Sequence, residues 1–333
     1  MITFQEAIKV TNSKEKDDNS PSILLGNGFS QAWNAKIFNY ANLLESANFG
    51  KRDKNLRALF KHFDTYNFEL VMNQLEATEQ VLDLYGINTQ TLKQIRDDKE
   101  ILKNALITAI SKTHPKLPNE VSDNQFIAVR FFLDKFKNIY TLNYDLLMYW
   151  ARNKSNLLPE FSTDDGFRKF NQCNQWIGYN ESYTNQNVHF LHGGLHIYDT
   201  GEHVKKHAYQ ENSGTSIIEK VRENLDDGKF PLFVSEPTSQ KKKNRIEHNP
   251  YLNYCYQSLR KLNGILFIYG HSIDDNDQHI FDQIKESNVN KVFVSIYGDK
   301  NSKANIRAKA NANAFLHPLK VDFFQAESAP VWA

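Results

Sequence analysis

The sequence predicts an α/β protein with a mostly parallel central sheet, helices on both faces and a helical module inserted after the first strand. Three observations lead there. Short apolar runs recur along the chain, each followed at once by small or polar residues, and such unbroken runs suit strands buried on both faces. Between the first two runs, the stretch Gln31–Lys137 carries apolar residues at helical spacing instead. The composition, 40% hydrophobic, 24% charged and 13% aromatic, is that of a globular chain able to bury a sizeable core.

Taken in order, Ser22–Leu25 runs into Gly26-Asn27-Gly28-Phe29-Ser30, and Asn138–Leu142 into Asn143-Tyr144-Asp145. Val188–Leu191 runs into His192-Gly193-Gly194, and Leu232–Val234 into Ser235-Glu236-Pro237. Ile265–Tyr269 leads into Gly270-His271-Ser272, and Val292–Tyr297 into Gly298-Asp299-Lys300. Ligands of parallel sheets bind beyond the carboxyl ends of the strands, where this chain concentrates its unusual residues. In the helical module, Trp33, Ile37, Tyr40 and Leu44 form one stripe; Leu56, Leu59, Phe60 and Phe63 a second; Phe68, Met72 and Leu75 a third; Leu102, Leu106 and Ile110 a fourth. Pro115 and Pro118 interrupt the pattern before a last helix through Phe126, Val129, Phe132 and Phe136. The expected organisation is one domain over 1–333, with the module at 31–137 and the rest of the sheet in 138–333. Weak periodicity in Asn153–Asn187 predicts loops and short helices. The basic run Gln240–Asn249 is either a solvated loop or a phosphate contact.

Several function classes fall away on composition. With 40 Lys+Arg against 39 Asp+Glu, the net charge of +1 gives no overall electrostatic case for nucleic acid or a membrane surface. No stretch approaches the ~20 apolar residues of a membrane span, and the first residues lack the apolar core and cleavage site of a secretory signal. Two cysteines, Cys173 and Cys255, make neither a four-cysteine zinc site nor a disulfide scaffold, so the expected compartment is a reducing cytoplasm.

Four junctions carry candidate chemistry. Gly26 and Gly28 allow a tight turn and close approach to a phosphate, and Ser30 can cap the following helix; a plain strand–helix turn would use the same residues. Asn143 and Asp145 either bind sugar hydroxyls or a water, or form a turn that caps the next helix. His192, at a strand exit before two glycines, is placed for general-base work near neutral pH. His189, His192 and His196 lack the spacing of a metal site on one helix face, so no metal is expected. Gly270, His271 and Ser272 repeat the glycine-plus-serine arrangement, with Asp274 or Asp275 expected to cap the helix carrying Ile280, Phe281 and Ile284.

Read in order, GNGFS, TLNYD, HGG and GHSIDDND resemble the motif series of the sirtuin-like NAD-binding superfamily, over about Ile23 to Asp299. The sequence looks closest to its bacterial NAD-hydrolysing, antiphage branch. The resemblance implies a Rossmann-like fold in which Gly26, Asn27, Gly28, Phe29 and Ser30 hold the NAD pyrophosphate. It further implies that Gly270, His271 and Ser272 contact phosphate or ribose from the other side. Asn143 and Asp145 would face the nicotinamide ribose, and His192 would be the catalytic histidine. Asn27 stands where the family pattern has Ala, and His271 where Thr is common; the zinc module of the deacetylases is missing. The implied activity is NAD glycohydrolysis, with NAD as substrate, no metal, and control by an activating partner protein or self-assembly. An NAD- or ADP-ribose-binding sensor and an ADP-ribosyltransferase are the alternatives. A phosphate cradle at Gly28 predicts that Gly28→Val weakens NAD binding far more than it lowers the melting temperature.

Overall fold

A computed structural model describes residues 1–11, 20–38, 40–87, 89–157, 160–170, 173–178, 185–209, 216–226 and 231–333. Among the described residues ten strands are formed: β1 (Ser22–Leu25), β2 (Ile139–Thr141), β3 (Phe167–Phe170), β4 (Cys173–Trp176), β5 (Val188–Phe190), β6 (Ile197–Asp199), β7 (Val204–Lys206), β8 (Asn263–Tyr269), β9 (Asn288–Ile296) and β10 (Lys320–Gln325). Six of them make one sheet in the order β10-β9-β8-β1-β2-β5, every pair parallel. With helices packed against it, this is a Rossmann-like α/β fold.

Strand order explains why the motifs meet. From β1 the chain builds outward to β2 and β5, then returns to the other side of β1 and builds outward again through β8, β9 and β10. The reversal falls between β1 and β8, and such a switch point opens a crevice beyond the carboxyl ends. The register is level: Leu25 pairs with Thr141 and with Tyr269, and Thr141 pairs with Phe190. Gly26, Leu142, Leu191 and Gly270 therefore leave the sheet side by side. The strands are central and apolar, with Ile23, Leu24, Ile139, Val188, Phe267 and Val292 all fully buried.

Between β1 and β2 lie the helices Gly28–Phe38, Tyr40–Ser46, Asp53–His62, Phe68–Leu84, Thr89–Thr113 and Asp123–Leu133. Their stripes pack as the spacing predicts: Leu56, Phe60, Phe68, Met72, Leu102, Leu106 and Ile110 are buried in the same core as the sheet. The Gly28–Phe38 helix is broken at Asn34, which has extended backbone angles. Ser122 and Gln125 form a capping box at the start of Asp123–Leu133. That helix sets Phe132 against Phe4 and Tyr269, with ring centroids 5.2 and 5.5 Å away.

Three expectations are corrected. The region expected to hold loops and short helices supplies β3 and β4, which join β7 and β6 in a second, antiparallel sheet ordered β3-β4-β7-β6. Leu232–Val234 is no strand of the main sheet. It crosses the loop after β5, where Val234 N–H donates to His192 O and Gly194 N–H to Leu232 O. The basic run is mostly helix, Ser239–Glu247, capped by Thr238 accepting from Lys241 N. Its apolar-facing positions four apart, Lys242 and Ile246, are buried.

Candidate functional site

A cleft of about 950 Å³ lies beyond the carboxyl ends of β1, β2, β5, β8 and β9. Gly26, Asn27, Gly28, Asn143, Asp145, His192, Gly270, His271 and Ser272 all line it. The inserted segment also lines it, with apolar Phe38, Leu43, Leu106 and Ile110 and polar Gln31, Asn67, Thr113 and Gln125. Phe29 and Ser30 are fully buried behind the cleft wall. Phe29 packs on Trp332, whose indole N–H donates to Phe29 O at 2.7 Å.

The first and fourth motifs meet main chain to main chain. Gly26 N–H donates to Tyr269 O at 2.9 Å and Gly28 N–H to Gly270 O at 2.8 Å. A Cβ on Gly26 would stand 2.6 Å from Gly270 O, and one on Gly28 would stand 2.5 Å from Gly270 Cα. Gly270 itself has φ +69°, a left-handed conformation suited to glycine. The glycines are thus required by this contact alone. Phe29 N–H and Ser30 N–H donate within the turn to Gly26 O and Asn27 O. These four amides are committed to main-chain carbonyls. The side-chain amide of Asn27 donates to Phe38 O at 2.9 Å, tying the two ends of the kinked Gly28–Phe38 helix together.

The second motif is wired to the first. Ser30 Oγ donates to Asp145 Oδ2, and Asn143 Nδ2 donates to Ser30 Oγ at 3.0 Å. Asp145 Oδ1 accepts Leu147 N–H at 2.9 Å at the start of the Leu147–Asn153 helix. Asp145 is therefore the helix-start turn residue, with both oxygens engaged. Burial pushes its carboxyl up, while the Ser30 and Leu147 donors pull it down. Asn143, held through its NH₂ group, has an amide oxygen that accepts no hydrogen bond among the described residues.

His192 is buried, and burial pushes its imidazole well below the usual histidine range. Its ring lies 5.7 Å from that of His279 in a parallel stack. Its Nε2 is closed off from solvent and stands 3.9 Å from Asp277 Oδ1. Lys242 Nζ lies 2.9 Å from the same oxygen. Ile273 N–H donates to His271 Nδ1 at 2.8 Å, so the proton of that ring is on Nε2, which donates to Asp277 Oδ2 at 3.1 Å. Ile273 has φ +56°, unusual for a β-branched residue, and Asn311 Nδ2 grips its carbonyl at 2.8 Å.

Lys242 and Asp277 are the site residues that sequence reasoning missed. Lys242 was hidden in a run that charge alone reads as solvated, although its spacing to Ile246 marks a buried helix face. The expected cap is Asp274 or Asp275, but the position before the helix Gln278–Lys285 is Asp277, and no side-chain cap forms there. Asp274 instead lies 3.6 Å from Arg307 at the cleft. Among the described residues, one group could hold a metal ion, His192 with Asp277 and His279. His189 and His196 stand outside it: His189 stacks on Tyr140 at 4.6 Å and His196 on Tyr149 at 4.1 Å.

No curated protein matches the chain. A family model described as a domain of unknown function, DUF4917, matches residues 23–332, so it spans all of the sheet but Ser22 and every residue of the cleft motifs, and the chain belongs to that family.

Proposed function

We propose that this protein cleaves NAD at the bond between nicotinamide and ribose, releasing nicotinamide and ADP-ribose. The observation that carries the proposal is a cleft at the sheet's switch point, where nine of the eleven residues marked in the sequence stand together. Breaking an N-glycosidic bond builds positive charge on the sugar and needs a placed nucleophile. Asn143, with its amide fixed by Ser30, offers an oxygen for a ribose hydroxyl or the attacking water. His192, neutral in its buried setting, can accept the proton that water or hydroxyl gives up. Arg307 and Ser272, on the β8–β9 side of the cleft, supply polar groups for the phosphates. In this reading His192 and Asn143 are the catalytic pair.

The biological role we attach to the activity is antiphage defence by NAD depletion, switched on by a partner protein or self-assembly. Incubating the purified protein with NAD and separating the products tests the chemistry. Free nicotinamide and ADP-ribose are expected. Intact NAD held stoichiometrically would replace the enzyme by a sensor, and label transferred to a macromolecule would replace hydrolysis by ADP-ribosyl transfer.

A further inference from the structure

We infer that Asp277 is the positioning residue of His192, holding the imidazole with its proton on Nε2 and leaving Nδ1 to exchange protons with the cleft. The inference deepens the role of His192 in NAD cleavage and rests on that reading for its catalytic meaning. The tautomer itself is independent of it.

Three observations converge. His192 lines the cleft, yet its Nε2 has no exposure and no hydrogen-bond partner among the described residues. Of the two ring nitrogens, Nε2 is therefore the one turned into the protein, and cleft chemistry falls to Nδ1. The group that Nε2 meets is the Asp277 carboxylate at 3.9 Å, close enough for a charge to orient an N–H dipole. Asp277 is also kept ionised: the Lys242 ammonium and the His271 Nε2–H both bind it and hold its carboxyl well below the usual range. With Oδ1 on Lys242 and Oδ2 on His271, the carboxylate acts on His192 as a fixed negative charge.

Other groups surround His192. Lys242 reaches it from the Ser239–Glu247 helix, His279 from Gln278–Lys285, and His271 from the end of β8; each opposes a positive charge on His192, and Asp277 alone favours it. Tyr144, its ring centroid 6.3 Å away, donates its hydroxyl to Val234 O and adds no charge. When Nδ1 takes a proton from water or a ribose hydroxyl, the resulting imidazolium faces Asp277 through Nε2–H. The arrangement has the logic of a base oriented by a buried carboxylate.

Nitrogen-15 NMR on histidine-labelled protein reads which ring nitrogen carries the proton. In the wild type, His192 is expected with its proton on Nε2. Lys242→Met keeps Asp277 and should keep that tautomer. Lys242→Met/Asp277→Leu removes the buried pair together, which such pairs tolerate better than loss of one partner, and should leave the proton shared between the two nitrogens. A wild-type ring protonated on Nδ1, or an unchanged tautomer in the double variant, overturns the inference. So does a His192 Nε2 signal lost on adding one equivalent of Zn²⁺, which would make His192, Asp277 and His279 a metal site. If the wild type releases no nicotinamide but shows the expected tautomers, the NAD reading fails and the positioning role of Asp277 stands.

Discussion

Replacing Gly28 by alanine separates two uses of a glycine at a strand–helix junction. The added Cβ would sit 2.5 Å from Gly270 Cα and 3.0 Å from Gly270 O, against backbone that cannot rotate away. Ordinary carbon contacts begin near 3.5 Å, so β1 and β8 must separate by about 1 Å at their ends. Overpacking of this kind costs roughly 1–3 kcal/mol, and stretching the Gly28–Gly270 hydrogen bond adds about 1 kcal/mol. For a chain of 333 residues, a total of about 3 kcal/mol lowers the melting temperature by roughly 4 °C. Circular-dichroism melts and NAD titration on the same purified variant check it. This reverses the expectation for Gly28→Val drawn from a phosphate cradle: stability falls first, and affinity falls only as the junction shifts. A Gly28→Ala protein that melts like the wild type would refute the backbone contact as the reason for the glycine.

His192→Ala and Asn143→Ala should each fold and lose about 100- to 10,000-fold in nicotinamide release, measured by chromatography; wild-type turnover in either removes that residue from the chemistry. Lys242→Met leaves the Asp277 carboxylate buried without its ammonium and should cost about 3–5 kcal/mol in urea unfolding, with much of the loss recovered in Lys242→Met/Asp277→Leu; equal stability of the two variants would show that the pair is not coupled. Stability should fall as pH drops below about 6.5, because burial holds His114 to about 4, His189 to about 3 and His207 to about 4 in the folded protein. The unfolded chain binds these protons first, so the stabilisation is complete above pH 6.5 and declines toward pH 4, by up to about 3 kcal/mol for His114 alone. Urea midpoints that stay level between pH 7 and pH 5 would contradict it.

The sheet was legible because its strands are short, apolar and bounded by abrupt polar junctions; β1, β2, β5, β8 and β9 stand where those runs do. β10 was not, since Lys320 and Asp322 interrupt it with charge. It is an edge strand, where such charges discourage further pairing, and Lys291 answers Asp322 at 2.7 Å. β3 and β4 escaped because a small antiparallel sheet half-exposed to solvent carries little apolar signal. In the cleft, residues adjacent to strand ends could be read locally. Lys242 and Asp277 could not, because their burial depends on a helix and a turn packing together across the fold, and charge in sequence does not reveal a partner. The spacing of the glycines suits either a phosphate or a plain strand–helix turn, and the structure shows that the chain itself is one neighbour that needs the room.

The interlock of Gly26, Gly28 and Gly270 also bears on how this protein can vary. At most crowded positions a larger residue is rescued by trimming the side chain opposite. Here the atoms opposite are Gly270 O, Gly270 Cα and the main chain of Gly28, and there is nothing to trim. A genetic screen for second-site suppressors of a substitution at any of the three should therefore return no compensating change at the other two. Repair would have to come from loosening the segments that press the ends of β1 and β8 together, such as Trp332 over Phe29.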